Sequence, residues 1–168
     1  MGKIKANIVL SVDGYIAYKD EDLGWIPKEL IQDIIKDYNN ADILLAGFNT
    51  YNYFFERHAC WPFKIKSYII SNYDNSITSK DSLCLLYESQ IDAIEKIKVN
   101  NDNILIVGGG KLITSLLNNK LIDEIEIYIV PVLLGEGIPF LGKTYDVGMN
   151  LTDCKQENGI VHLSYKIT

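Results

Sequence analysis

Asn103-Ile104-Leu105-Ile106-Val107-Gly108-Gly109-Gly110-Lys111-Leu112-Ile113-Thr114-Ser115-Leu116-Leu117 is the stretch that decides the fold. Ile104 to Val107 form an unbroken apolar run, which reads as a strand buried on both faces. Three glycines interrupt it. Leu112, Ile113, Leu116 and Leu117 then recur at helical spacing. A strand feeding a helix through a glycine turn is the joint from which α/β domains are built. Glycines reach positive φ and let a ligand approach the main chain with no Cβ in the way. The freed N–H groups and the helix dipole at such a turn favour a phosphate. The same geometry also serves as a tight connection with no ligand, so both readings stand here. Lys111 sits at the positive end of the helix dipole, a conflict that a bound anion would remove; an exposed solubilising lysine is the plain alternative. The glycines lack the spacing and the following Ser or Thr of a P-loop.

Outward from this joint the pattern repeats. Residues 3 to 10 read as a β-branched strand ending at the turn Ser11-Val12-Asp13-Gly14. Tyr15 to Gly24 reads as a loop of about ten residues, a length often functional in compact domains. Pro27 suits the first turn of a helix, and Leu30, Ile31, Ile34, Ile35 and Tyr38 carry its apolar stripe to Asn39. Ala41 to Gly47 is a second doubly buried strand, and Phe48 to about Phe55 a short helix or turn. Lys66 to Ser71 and, more weakly, Leu83 to Tyr87 are further strands. Ser89 with Asp92 resembles a capping box ahead of Ile91, Ile94 and Ile97. Asp123 to Leu134 is expected as one long strand, and Leu151 to Thr168 as a hairpin turning at Asn158-Gly159. The alternation predicts one α/β domain over residues 1–168. Its sheet should be mostly parallel with an antiparallel edge.

Bulk properties narrow the function. The chain has 168 residues, 48% hydrophobic and 23% charged, with a formal net charge of -6. That sign argues against nucleic acid or an anionic membrane as partner. Cys60, Cys84 and Cys154 are too few and too scattered for a disulfide framework or a zinc site, which fits thiols in a reducing cytoplasm. No run approaches the ~18 apolar residues that span a bilayer. No metal cluster, Ser-His-Asp set or deaminase signature is visible.

Four segments, in order, resemble the dihydrofolate-reductase-like superfamily. They are Ser11-Val12-Asp13-Gly14-Tyr15-Ile16-Ala17, Ala41 to Gly47 with Thr50-Tyr51, Ile106 to Gly110, and Val130 to Leu141. The last, with its Pro131, Gly135, Gly137 and Pro139, is similar to the reductase domains of riboflavin biosynthesis. The resemblance implies a three-layer fold with about eight strands and an NADPH-dependent reduction of a ribosylaminopyrimidine or a pterin. It implies that Val107, Gly108, Gly109, Gly110, Lys111 and Leu112 meet the cofactor diphosphate and adenosine ribose. Gly47, Phe48, Asn49 and Thr50 would form a second phosphate-contacting helix start. Ser71 and Asn72 would flank the adenine, and Ile16 and Ala17 the nicotinamide. Relatives often place a basic residue directly after the glycine at position 47, against the cofactor 2′-phosphate. Phe48 stands there instead, so NADH remains possible, with Lys111 as the substitute cation. Relatives of the riboflavin type commonly pair through their C-terminal strands, which implies a homodimer.

Reduction of a C=N or carbonyl carbon needs a proton for the neighbouring heteroatom. Glu29, two residues after Pro27, matches the acidic residue that binds the pterin in folate reductases; a favourable dipole interaction alone also explains it. Asp13 is the second carboxylate, with fixing its own turn as the competing role. Asp33 lies one turn beyond Glu29. His58 and His162 are isolated, and Trp25, Tyr51 and Trp61 are either ring-stacking or packing residues. A non-catalytic nucleotide-binding module of the same fold is the alternative function.

Overall fold

The computed structural model describes residues 2–71, 84–87, 91–100 and 103–168. Its elements, in chain order, begin with β1 (Lys3–Ser11), β2 (Tyr15–Ala17), α1 (Lys28–Asn39), β3 (Ile43–Gly47) and α2 (Phe48–His58). There follow β4 (Ser67–Ile70), β5 (Cys84–Tyr87), α3 (Ile91–Asn100), β6 (Asn103–Val107) and α4 (Gly110–Asn118). The chain closes with β7 (Glu124–Val130), β8 (Ile138–Pro139), β9 (Met149–Glu157) and β10 (Ile160–Ile167).

Eight strands form one sheet in the order β5-β4-β3-β6-β1-β7-β10-β9. Every pairing from β5 to β7 is parallel, and β10 runs antiparallel to both of its neighbours. The expected α/β class, the mostly parallel sheet and the antiparallel C-terminal hairpin are all present. The doubly apolar strands explain the layers. Ile43 and Leu45 face one core with Ile4, Ile104, Ile106 and the α4 residues Leu112, Ile113 and Leu116. Leu44 and Ala46 face the other, with Leu105, Val107, Tyr38 of α1 and Tyr51 of α2. Helices therefore cover both faces.

Four expectations need correction. The loop after β1 contains β2, which pairs antiparallel with β8; three residues against two are too short to leave a periodic signature. The strand expected to reach Leu134 stops at Val130, because Pro131 has no N–H for the ladder and the Val132 N–H turns back to the Val130 carbonyl at 2.7 Å. The helix α2 runs three residues past Phe55, to His58, and ends where Ala59 adopts φ 57°. The final hairpin starts at Met149 rather than Leu151. Its turn is as expected, with φ 51° at Asn158 and 81° at Gly159, the doubly left-handed pair of a two-residue hairpin. Ser89 of the expected capping box lies outside the described residues.

Parallel packing brings the C-terminal ends of β3, β6, β1 and β7 to one edge of the sheet. Ligands of open α/β sheets bind along that edge.

Candidate functional site

Two helix starts meet at this edge. At the first, Gly108 and Gly109 have φ of 55° and 89°, conformations that favour glycine. Gly109 caps α4 with no side-chain hydrogen bond, and the first N–H groups of a helix have no intrahelical acceptor. At the second, Gly47 caps α2, again with no side-chain bond. Thr50, in the first turn of α2, joins the two: a Cβ added at Gly109 would lie 3.2 Å from its Oγ1, and one at Gly108 3.7 Å away. The two groups of residues read from the sequence as opposite sides of one cradle, Gly47 to Thr50 and Gly108 to Leu112, are thus adjacent.

Gly110 is glycine for another reason. A Cβ there would run into the Phe140 carbonyl oxygen, and one at Gly137 into the carbonyl of Ala17. The end of β8 therefore lies directly against the start of α4, and the Phe140 N–H donates to the Gly14 carbonyl at 3.3 Å, tying that end to the turn before β2. Ile16 packs on the core beneath, and Ala17 is buried. Both belong to the short strand that pairs with β8.

The remaining positions divide by exposure. Lys111 and Asn49 are exposed at the two helix starts. Phe48 packs inward against Tyr51, ring centroids 6.3 Å apart. Val107 and Leu112 are core residues on opposite sheet faces, so only their backbone faces the turn region. Ser71 is buried one strand further out, at the end of β4, and Asn72 lies outside the described residues.

Of the two carboxylates, Asp13 is engaged. Its Oδ2 accepts the Gly135 N–H at 2.7 Å and its Oδ1 the Leu134 N–H at 3.1 Å. The Ser11 hydroxyl, then these backbone donors, hold it below the usual carboxylate range. The side chain braces the β1 turn against the loop before β8. Glu29 is exposed in the first turn of α1, and Asp33 pairs with Lys36 at 2.8 Å. Tyr51 and Trp61 are buried packing residues, the latter donating Nε1–H to Ser67 Oγ at 2.9 Å. His58 is exposed at the end of α2.

A polar group of residues escaped the sequence reading. Lys5 and Asn7 of β1, Glu126 and Tyr128 of β7 and His162 of β10 share the sheet face that α1 flanks. Lys5 Nζ lies 3.0 Å from Glu126 Oε1, and His162 Nε2 lies 3.5 Å from Glu126 Oε2. The His162 and Tyr128 rings stack 4.3 Å apart at 3°. Burial, then the Glu126 carboxylate, pushes the Tyr128 phenol far above its ordinary value. Burial does the same to Tyr38, whose hydroxyl donates to the Ile106 carbonyl at 3.2 Å. The signal was a polar residue at every second position in all three strands, readable only once their neighbourhood is known.

Among the described residues no group of three His, Cys, Asp or Glu could hold a metal, and no helix is long and apolar enough to cross a membrane. A cleft of about 840 Å³ lies at the opposite edge of the sheet, between Lys3, Glu124, Lys166 and residues 145–148. It shares no residue with the glycine turns.

Comparison with known proteins agrees with this architecture. Residues 90–161 match the family described as the RibD C-terminal domain. The uncharacterized protein YwjB of Bacillus subtilis is 26% identical over 163 residues, covering 94% of each chain. A solved structure from Shewanella sp. PV-4, described as a riboflavin biosynthesis protein, superposes with a TM-score of 0.86 at 24% identity over 99% of each chain. The diaminohydroxyphosphoribosylaminopyrimidine deaminase/5-amino-6-(5-phosphoribosylamino)uracil reductase of Thermotoga maritima gives a TM-score of 0.73 at 14% identity, with 99% of this chain matching 57% of that one. At these identities the structural matches are matches of fold. They bear out the expected fold, and the match over residues 90–161 supports the resemblance to the reductase domain of riboflavin biosynthesis.

Proposed function

We propose that this chain, built on the fold of the RibD C-terminal domain, is an NAD(P)H-dependent reductase of a small planar heterocycle. The observation that carries the reading is the meeting of two uncapped, glycine-started helices across Thr50 and Gly109. Unsatisfied N–H groups, two helix dipoles and a hydroxyl converge where a diphosphate would sit. The residues fit the cofactor on their own terms. A Cβ at Gly108 or Gly109 would fill the space beside Thr50, and exposed Lys111 supplies a cation at one rim.

When bound, the nicotinamide ring supplies a hydride. Gly47 to Thr50 and Gly108 to Leu112 would hold the diphosphate, Ser71 and Asn72 the adenine end, and Ile16 and Ala17 would border the ring. Lys111 favours NADPH over NADH, because Phe48 is turned inward and leaves no other cation at these two helix starts. A ribosylaminopyrimidine or a pterin suits the site by analogy with the riboflavin and folate branches. Glu29, exposed at the start of α1, or a water it orients, would carry the proton; Asp13, with both oxygens occupied, would hold the loop. The protein would act in the cytoplasm as a homodimer joined near β9 and β10.

Titration with NADPH and NADH, followed by tryptophan fluorescence and melting temperature, tests the reading. Tighter binding of NADPH is expected, and no response to either nucleotide would reject it. Phe48 in place of a basic residue favours one other reading, a nucleotide-binding module without catalysis. That reading predicts binding without oxidation of NADPH by any pterin or ribosylaminopyrimidine.

A further inference from the structure

The cleft at the edge opposite the glycine turns has a wall of irregular chain that is fixed in place. Between β8 and β9 the chain follows α4 to its end and is tied to it three times. The Gly142 N–H donates to Thr114 Oγ1 at 3.0 Å, Asn118 Nδ2 donates to the Lys143 carbonyl at 3.2 Å, and the Tyr145 N–H donates to Asn118 Oδ1 at 3.2 Å. The Thr168 N–H secures the other side on the Gly148 carbonyl at 3.0 Å. The cleft beside these bonds has a volume of about 840 Å³, within the range of small-molecule sites. Part of its lining is apolar: Leu117 and Ile122 are buried, and Val147 and Ile167 pack on the core. Tyr145, also on the lining, is 78% exposed.

The charges of the lining do not cancel. Lys3 pairs with Glu124 at 2.7 Å. Asp123 accepts Lys98 Nζ at 2.6 Å and the Ile4 N–H at 2.8 Å. Among the described residues, two lysines, Lys120 and Lys166, are left without an ion pair against one carboxylate, Asp146. Lys120 also stands where folding alone would not put it. The Lys120 N–H meets the Leu117 carbonyl and the Leu121 N–H the Leu116 carbonyl, both at 3.0 Å, and Lys120 has φ 56°. These are the bonds of a Schellman ending, whose left-handed position is usually glycine because a Cβ strains it. A cation there does suit the helix dipole, but one in the last turn would suit it without strain, and α4 has none in its last turn. We infer that this cleft is a second binding site, for a phosphate monoester carried on a planar ring, the chemistry of a mononucleotide. Lys120 and Lys166 take the phosphate, Asp146 accepts from ligand hydroxyls, and Tyr145 with the apolar lining meets the ring. The site shares no residue with the diphosphate cradle and does not depend on the reductase reading.

The test is calorimetric titration of the full chain, saturated with NADPH so that the cradle is filled, with AMP, UMP, ribose 5-phosphate and adenosine. At least one of the two nucleotides should bind. Ribose 5-phosphate lacks the ring and adenosine the phosphate, so each should bind tenfold or more weakly. Lys120→Gly should weaken the nucleotide about tenfold, the loss of a charge-assisted contact. Its melting temperature should stay level or rise, because glycine suits the left-handed position. Lys166→Gln should weaken binding similarly, and Tyr145→Ala by about fivefold or more, the scale of a lost base–aromatic stack. No heat from either nucleotide would overturn the inference, as would binding that both lysine substitutions leave untouched. A chain that takes up no NADPH rejects the reductase reading only, and the same titration without the cofactor then decides this one.

Discussion

The two glycine-started helices at the C-terminal edge look alike in sequence and differ in why they carry glycine. At the start of α4 the backbone demands it. Gly108 and Gly109 have positive φ, and Gly110 lies against the Phe140 carbonyl. At the start of α2 nothing in the chain demands it. Gly47 has φ -75°, and a Cβ there would meet only the Leu112 Cβ, at an ordinary 3.8 Å. A glycine that the fold does not require is the one whose identity a ligand can explain. The contrast separates folding constraints from binding constraints within one candidate site.

Substitutions can break that contrast. Gly110→Ala has the largest expected effect, because the clash is with main chain that cannot rotate away. It should cost about 3 kcal/mol, near the upper end for overpacking, and lower the melting temperature by about 10 °C in a chain of this size. Gly109→Ala should cost about 1–3 kcal/mol through backbone strain, seen as a smaller shift in the same thermal melt, and should abolish NADPH binding by calorimetry. Thr50→Val should leave the melt nearly unchanged while weakening NADPH about tenfold, the loss of one hydrogen bond to a charged group. Gly47→Ala should change stability by less than about 0.5 kcal/mol, since only unfolded-state entropy and a weak capping preference are at stake. A marked fall in NADPH affinity for that variant would assign Gly47 to the ligand; a fall in stability instead would erase the distinction between the two turns.

The smallest effect concerns the brace that keeps the β2–β8 ribbon over α4. The carboxyl of Asp13 is held below its unfolded value, so its contribution is complete above about pH 4 and is lost as pH falls through the depressed folded value. Asp13→Asn should flatten that acid limb in melts taken below pH 4 and leave stability at pH 7 slightly reduced.

What could be read in advance follows from how locally each feature is determined. The turn at 108–110 and the hairpin at Asn158-Gly159 were legible because positive φ singles out glycine and asparagine within a few residues. The apolar runs 41–47 and 104–107 were legible because a strand covered on both faces has no polar alternation to show. The pairing of β2 with β8 was not legible, since it joins residues about 120 positions apart through very short strands. Asp13 could be recognised as a turn residue, but not that its acceptors would be used by Leu134 and Gly135. The array of Asn7, Glu126, Tyr128 and His162 was hidden most deeply. Each member sits in an ordinary alternating strand, and only the order β1-β7-β10 sets them side by side.

The central claim is that the two helix starts form one diphosphate site, and a crystal structure of the chain grown with NADPH tests it most directly. The account predicts diphosphate oxygens about 2.7–3.2 Å from backbone N–H groups at both helix starts, with the Thr50 hydroxyl on the same group and the nicotinamide beside Ile16 and Ala17. A cofactor seated elsewhere, for instance in the cleft between Lys3 and Lys166 at the opposite edge, or touching only one of the two helix starts, would contradict it.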